Sequence, residues 1–168
     1  GVQTCALPIF MRVLLGLPPG QQIAFKAGQY INILLEDGQR RAFSFANPPY
    51  EAEFVELQIR LMPGGRFTTH VFEKMKEGDE IRFEGPIGDF TLRESERPIV
   101  FVAGATGFAP VKSMVEDAFR RGLKRPIHLY WGVRSLQDLY LPELPARWAR
   151  EHDNFHFIPV LSEPLPED

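Results

Sequence analysis

Four consecutive residues, Arg41-Ala42-Phe43-Ser44, bring a cation, an aromatic plate and a hydroxyl together just upstream of Asn47-Pro48-Pro49. A guanidinium is permanently charged and forked to match phosphate oxygens. A Phe ring can stack on a flat conjugated system, and a hydroxyl can donate to a ring nitrogen. The set suits a ligand with a diphosphate, a planar ring system and a polar ring edge. In a regular strand Arg41 and Phe43 point one way and Ser44 the other. All three reach one ligand only if the strand ends or twists there, which the Pro-Pro pair permits.

Two glycine loops could supply the rest of such a site. Gly64-Gly65 and Arg66-Phe67-Thr68 lead into a segment that reads as a helix through Val71, Phe72 and Met75, with Thr68 as its cap and Gly78 beyond its end. A helix N-terminus offers free N–H groups and a positive dipole end to an anion; the alternative is a plain connector. Arg66 is either a phosphate ligand or a solvated loop charge. The second loop, GATGFAP (Gly104 to Pro110), lies between an apolar run and a helical stretch, where an open parallel sheet binds its ligand. Gly104 and Gly107 allow close backbone approach and Thr106 adds a hydroxyl. The spacing is not G-x-G-x-x-G, so a tight strand–helix turn is the competing reading.

The elements that must position these residues fall into two groups. From Met11 to about Leu92, six short strands are expected: Met11 to Leu15, Tyr30 to Glu36, Arg40 to Ala46, Phe54 to Leu61, and runs around Ile81-Phe83 and Phe90-Leu92, with Gly85-Pro86 turning between the last two. In the fourth, Val55, Leu57, Ile59 and Leu61 face inward and Glu56, Gln58 and Arg60 outward. This pattern predicts a small antiparallel barrel or sandwich. Beyond Arg97 the pattern becomes strand (Ile99 to Ala103, apolar throughout as in a buried parallel strand), helix (Val111 to Arg121), strand (Pro126 to Val133), helix (Leu144 to Glu151) and strand (Phe155 to Leu161). That alternation predicts a parallel sheet with crossover helices. The boundary is expected near Ser95 to Arg97.

Composition narrows the function classes. With a net charge of −3 and no basic run, a nucleic-acid footprint is not indicated. No apolar run approaches a membrane span, so a cytoplasmic protein is expected. One cysteine rules out an internal disulfide or a multi-cysteine metal site within this sequence. The four histidines have no ligand spacing and read as structural or solvated, and Trp131 and Trp148 read as core. Asp138 and Tyr140 either belong to a ligand-side loop or brace it.

In this order, the motifs resemble those of the ferredoxin–NADP reductase-like flavoprotein reductases. FKAGQYINI resembles the family's GQY strand, RAFS its R-x-Y-S flavin motif, and PGGRFTTHVF its glycine loop before the diphosphate helix. GDEIRFEGPIGDFTL resembles its G-P-x-G-x-F stretch, GATGFAP its G-G-T-G-x-A-P loop, and LYWGVRS with DLY its second nicotinamide-side segment. Within the family the sequence is most similar to NADH-dependent oxygenase reductases and CDP-6-deoxyglucoseen-reductase-like proteins. The resemblance implies an antiparallel β-barrel FAD-binding domain, residues 10–96, followed by a C-terminally incomplete α/β parallel-sheet NAD-binding domain, residues 97–168.

It also implies roles. Arg41 would pair with the FAD diphosphate. Phe43, where the family commonly has Tyr, would stack on the flavin without the hydroxyl that could bond the ribityl chain. Ser44 would donate to the reactive flavin nitrogen. The backbone of Gln58-Ile59-Arg60 would hold the flavin ring, Ala42 would bind the cofactor as part of the RAFS motif, and Gly64, Gly65, Arg66, Phe67 and Thr68 would wrap the diphosphate. Thr106 would touch flavin and nicotinamide at their junction, with Gly104, Gly107 and Pro110 shaping the pocket. Gly132, Val133, Arg134 and Ser135 would lie along the NAD ribose and diphosphate. Ser162-Glu163 stands where NADPH-preferring members often place Ser-Arg; a Glu repels a 2′-phosphate and can accept from a 2′-hydroxyl, so NADH is expected over NADPH.

The implied activity is hydride transfer from NADH to FAD, then electron transfer to a [2Fe-2S] centre in a further domain or in an oxygenase or dehydrase partner. A free-flavin reductase and a non-catalytic electron-transfer or structural subunit of the same fold are the alternatives. The first nine residues, GVQTCALPI, match the in-frame translation of a common sequencing adapter and are expected to be a scar, excluded from fold reasoning and with Cys5 non-native; the alternative is a natural N-terminal strand. The family's last strands, with a Cys-Gly segment near the nicotinamide, have no counterpart in the sequence. The chain by itself is therefore expected to bind FAD but turn over little NADH.

Overall fold

A computed structural model describes residues 2–7 and 9–166. The first half folds as two three-stranded antiparallel sheets around one core. β1 (Val2–Leu7), β2 (Phe10–Gly16) and β5 (Phe54–Arg60) form one sheet, in the order β1-β2-β5. β3 (Tyr30–Leu34), β4 (Arg40–Ser44) and β6 (Phe83–Ile87) form the other, in the order β4-β3-β6. Met11, Val13 and Leu15 of β2, Ile31 and Ile33 of β3 and Val55, Leu57 and Ile59 of β5 meet in its centre. Ala46 N donates to Glu56 O, carrying the chain from β4 round to β5. β2, β3 and β5 each present an apolar face, and burying those faces closes the two sheets on each other. Helix α1 (Arg66–Glu73) seals the core with Phe67 and Val71.

The second half is a parallel sheet, β7 (Ile99–Gly104), β8 (Ile127–Val133) and β9 (Phe155–Leu161), in sequential order. Helices α2 (Phe108–Arg120) and α3 (Glu143–Glu151) supply the crossovers. Ile99, Phe101 and Ala103 pack against Val111, Met114 and Val115 of α2 and Trp148 of α3. That core reaches into the barrel: Phe10 of β2 stacks on Tyr140 with ring centroids 4.3 Å apart.

Several expectations need correction. The segment excluded from fold reasoning, Val2–Leu7, adds a strand to the barrel, paired from Val2 opposite Leu15 to Leu7 opposite Phe10. Main-chain pairing is open to any extended segment beside an unpaired edge, so it carries no information on the segment's origin. Gly85-Pro86 does not turn the chain. It lies inside β6, where the register against β3 shifts between Tyr30 and Asn32. Gly85 is needed there because a Cβ would sit 3.0 Å from Ile31 Cγ2 and 3.1 Å from Tyr30 O. Residues 90–92 form no strand, and neither does Ile81. Thr68 does not cap α1; Gly65 does, and the Thr68 hydroxyl bonds back to Gly65 O at 3.2 Å.

The apolar run Ile99–Ala103 is not buried on both faces. Val100 and Val102 are 61% and 81% exposed. Both crossover helices lie on one face, and no described residue covers Val102 on the other. The reverse error occurs in β5. Glu56 and Gln58, on its expected solvent face, are 1% and 5% exposed because α2 and Tyr140 cover them.

Candidate functional site

Two cavities open where the barrel meets the parallel sheet. The barrel-side cavity, about 380 Å³, is lined by Arg41 and Phe43 of β4, Gln58 and Arg60 of β5, Met62, Gly65 to Thr68 at the start of α1, and Ala105 and Thr106. The sheet-side cavity, about 310 Å³, is lined by Phe10, Arg60, Gly104, Ala105, Gly132, Val133, Arg134, Asp138, Val160 and Ser162. Arg60 and Ala105 belong to both and so form the wall between them.

The barrel-side cavity is built for an anion beside a flat ring. Arg41, Arg60 and Arg66 line it, and no carboxylate does. Helix α1 points its N-terminus here with no acidic residue in its first turn and no side-chain cap, which leaves its first N–H groups to a ligand. Gly65 has no space for a side chain: a Cβ would lie 2.7 Å from Thr68 Oγ1 and 3.0 Å from Met62 O. Phe43 forms the aromatic wall, tilted against Phe67 with centroids 5.6 Å apart. The Arg41 guanidinium is held along the strand by Gln39 Oε1 at 2.6 Å and Arg40 O at 2.9 Å. Arg66 is 3.1 Å from Asp37 across the β3–β4 turn, a contact an entering diphosphate would compete with. This donor set fits a dinucleotide diphosphate, with the ring against Phe43.

The pleat separates the RAFS residues. Arg41 and Phe43 line the cavity, whereas Ala42 and Ser44 do not. Ser44 is the last residue of β4, so the strand does end where a common ligand requires it to. Ile59 serves the barrel core, leaving only its main chain for a ligand. Gly64, at φ +72°, shapes the loop without lining the cavity.

Across the wall, the turn Ala105–Gly107 joins β7 to α2. Ala105 is the one described non-glycine residue with positive φ, +45°. Trp131 Nε1 donates to its carbonyl at 3.0 Å, pinning the turn to β8. The sequence signal at Ala105 is its place at the second glycine of the G-G-T-G pattern, where this chain has alanine. Gly107 is exposed, and Pro110 falls in the first turn of α2, where its missing N–H costs no helix bond.

The far end of the sheet-side cavity is held by two local devices. Ser135 and Asp138 form a reciprocal capping box around the turn Leu136–Asp138, which presents Asp138 to the cavity. Arg134 meets Glu163 through two bonds, 2.7 and 3.1 Å, and both side chains are exposed. The Glu163 carboxylate raises the pKa of Arg134 further above its ordinary value. Ser162 N and Glu163 N donate to Val133 O and Arg134 O, which places Ser162-Glu163 directly beside the Gly132 to Ser135 segment. Phe10 and Met62, unremarked in the sequence, also line the cavities; both are ordinary apolar residues whose periodicity carries no ligand signal.

Among the described residues no helix is long and apolar enough to cross a membrane. The oxidoreductase FAD-binding domain model matches residues 10–92, and the oxidoreductase NAD-binding domain model matches residues 101–168. The chain is 40% identical over 161 residues to terephthalate 1,2-dioxygenase reductase component 1 of Comamonas sp., covering 95% of this chain and 48% of that protein. It is 43% identical over 148 residues to the CDP-6-deoxy-L-threo-D-glycero-4-hexulose-3-dehydrase reductase of Yersinia pestis, covering 88% and 44%. The crystal structure of the Amycolatopsis cytochrome P450 reductase GcoB superposes with a TM-score of 0.91 at 37% identity, covering 99% of this chain and 52% of that one. The chain thus spans about half the length of each. With an antiparallel FAD-binding unit, a parallel-sheet NAD-binding unit and a cavity on either side of Ala105, the chain belongs to the ferredoxin reductase-like family of FAD- and NAD-binding oxidoreductases.

Proposed function

We propose that the protein is the reductase component of an electron-transfer pair: it takes hydride from NADH onto FAD and hands single electrons to a [2Fe-2S] centre, in a further domain or in an oxygenase or dehydrase partner. The observation that carries this reading is the shared wall. A cationic cavity with a helix N-terminus and a second cavity at the strand ends of the parallel sheet meet at Arg60 and Ala105, so two dinucleotides would bring their ring ends together there. Bound FAD would supply the two-electron to one-electron conversion. The side chains supply binding and orientation. Arg41, Arg66 and the first N–H groups of α1 hold the diphosphate, Phe43 stacks the ring, and Thr106 closes the junction. Ser44 is proposed to reach the ring from the end of β4, and the main chain of Gln58 and Ile59 to hold its edge.

The names of the relatives, reductases of a dioxygenase and of a dehydrase, support the acceptor class. A boundary at Arg97, between a FAD unit over 10–96 and an NAD unit over 97–168, is supported by the change from antiparallel to parallel pairing, and a cytoplasmic location goes with this chemistry. NADH is the favoured donor because Glu163 both repels a 2′-phosphate and occupies Arg134. The test is anaerobic titration of the FAD-loaded intact protein with NADH. Bleaching of the flavin absorbance, followed by reoxidation with a [2Fe-2S] ferredoxin, is expected. A flavin that stays oxidised under excess NADH would overturn the proposal.

A further inference from the structure

The Glu56, Lys112 and Tyr140 side chains at the buried polar face of β5 have no part in the functions assigned so far, and this face is where the two halves of the molecule are tied together. The Tyr140 hydroxyl donates to Gln58 Oε1. Gln58 Nε2 donates to Glu56 Oε1 at 3.4 Å. Lys112 Nζ, on α2, is 3.4 Å from Glu56 Oε2, 3.0 Å from Ala46 O and 3.0 Å from Glu116 Oε2. Arg12 NH2 meets Glu56 Oε2 at 3.0 Å from the barrel side. At the next residue of α2, Ser113 Oγ donates to Asn47 O at 2.8 Å, and Asn47 Oδ1 in turn accepts from Glu56 N. Burial, followed by the nearby Glu56 carboxylate, pushes the Tyr140 hydroxyl up in pKa, so it remains a proton donor.

The two ends of this network lie at the chemistry. Gln58 lines the barrel-side cavity with Arg41, Phe43 and Thr106. Lys112 sits in the helix that begins directly after the Ala105–Gly107 turn, and Tyr140 closely follows the turn that presents Asp138 to the sheet-side cavity. An apolar interface tolerates sliding, because dispersion and burial depend weakly on register. Directional buried bonds do not: a shift of α2 breaks the Lys112 bonds to Ala46 O and Glu56 and the Ser113 bond to Asn47 O, leaving buried acceptors short of a donor, while Arg12–Glu56 and Lys112–Glu116 stay paired within each half. Hydride transfer is steeply sensitive to the approach of donor and acceptor.

We infer that Lys112 and Tyr140 are positioning residues: by engaging Glu56 and Gln58 on β5, they hold the 104–107 loop in register with the barrel-side cavity and so set the approach of the two rings. The inference rests on the proposed FAD and NADH sites. It predicts that the latch contributes orientation more than affinity.

The variants are Lys112→Met and Tyr140→Phe, with Lys112→Arg as the conservative rescue. Glu56→Gln combined with Lys112→Met removes both charges and serves if the single Lys112 variant does not fold. The first readout is the spin-label distance distribution between Glu36→Cys and Asp153→Cys, both exposed, in a Cys5→Ser background of the FAD-loaded chain. The distribution is expected to be narrow in the parent, broadened in Lys112→Met and Tyr140→Phe, and narrow again in Lys112→Arg, with FAD affinity unchanged. The second readout is the limiting rate of flavin reduction by NADH in the intact protein, expected to fall about tenfold or more with the NADH dissociation constant unchanged. Distributions as narrow as the parent's, or a loss confined to NADH affinity, would overturn the latch. A parent flavin that NADH does not reduce would instead sink the functional reading, while the distance readout would still decide the latch.

Discussion

Gly28→Ala tests whether the packing of the GQY segment is understood. Gly28 has φ +100°, and a Cβ built on it would lie 1.8 Å from the main-chain oxygen of Phe90 and 3.4 Å from Met114 Cε. The conformation alone costs an alanine about 1–2 kcal/mol. The contact with Phe90 O cannot be relieved by a rotamer, because the obstacle is backbone; forcing it apart adds about 1–3 kcal/mol of overpacking strain. The sum, roughly 2–5 kcal/mol, corresponds to a drop in Tm of roughly 4–20 °C for a chain of this size. Gly38→Ala is the internal control, since Gly38 has φ +79° with nothing within 4 Å of a built Cβ; it carries the conformational cost of about 1–2 kcal/mol without the clash. The assay is thermal and urea unfolding of the apo chain followed by far-UV circular dichroism. If the two substitutions cost the same, the close approach of residue 90 to Gly28 is not what selects glycine, and the reasoning fails.

Other outcomes follow from the same structure. Ala105→Gly relieves a positive φ of +45° and keeps the Trp131 bond, which is made to main chain; after the entropic cost of glycine, the gain is about 0.5–1 kcal/mol, read as a higher unfolding midpoint. Glu163→Ser frees Arg134 from its only described carboxylate partner in the 2.7 Å pair and is expected to shift preference toward NADPH by about tenfold, read as the ratio of kcat/KM values. Burial, followed by the neighbouring Glu56 and Glu51 carboxylates, raises the pKa of Glu116 against the opposing pull of Lys112. A raised carboxyl pKa means the folded state holds its proton more tightly than the unfolded state. Stability is therefore expected to fall as pH rises from the ordinary carboxylate range through the raised folded value, and Glu116→Gln to flatten that slope in urea midpoints measured against pH.

The local grammar of the chain was legible without coordinates. Strict alternation in Val55 to Leu61 gives a strand, because side chains on a pleat alternate. An apolar run, a glycine-bearing turn and an amphipathic stretch give β7, the 105–107 turn and α2. The cation and ring of Arg41 and Phe43 fall on one side of β4 for the same reason, and the structure puts both in one cavity. Residue types at spacings along the chain therefore carried the two-unit architecture and the pairing of Arg41 with Phe43, whereas Gln58, Arg60, the Gly132 to Ser135 segment and Ser162 were indicated only by the resemblance to the family.

What covers each face was decided only in three dimensions. Alternation says that β5 has two faces; it does not say that the polar one meets Lys112 and Tyr140 rather than water. The run Ile99–Ala103 reads as doubly buried, yet Val102 lies open because both crossover helices pack on one side. Ala105 looks like a helix former and stands at a positive φ in the 105–107 turn, where Trp131 Nε1 bonds its carbonyl. Sequence periodicity reports the geometry of one element at a time, whereas burial, charge pairing and backbone strain depend on which elements are brought together, and that is a property of the whole chain's packing.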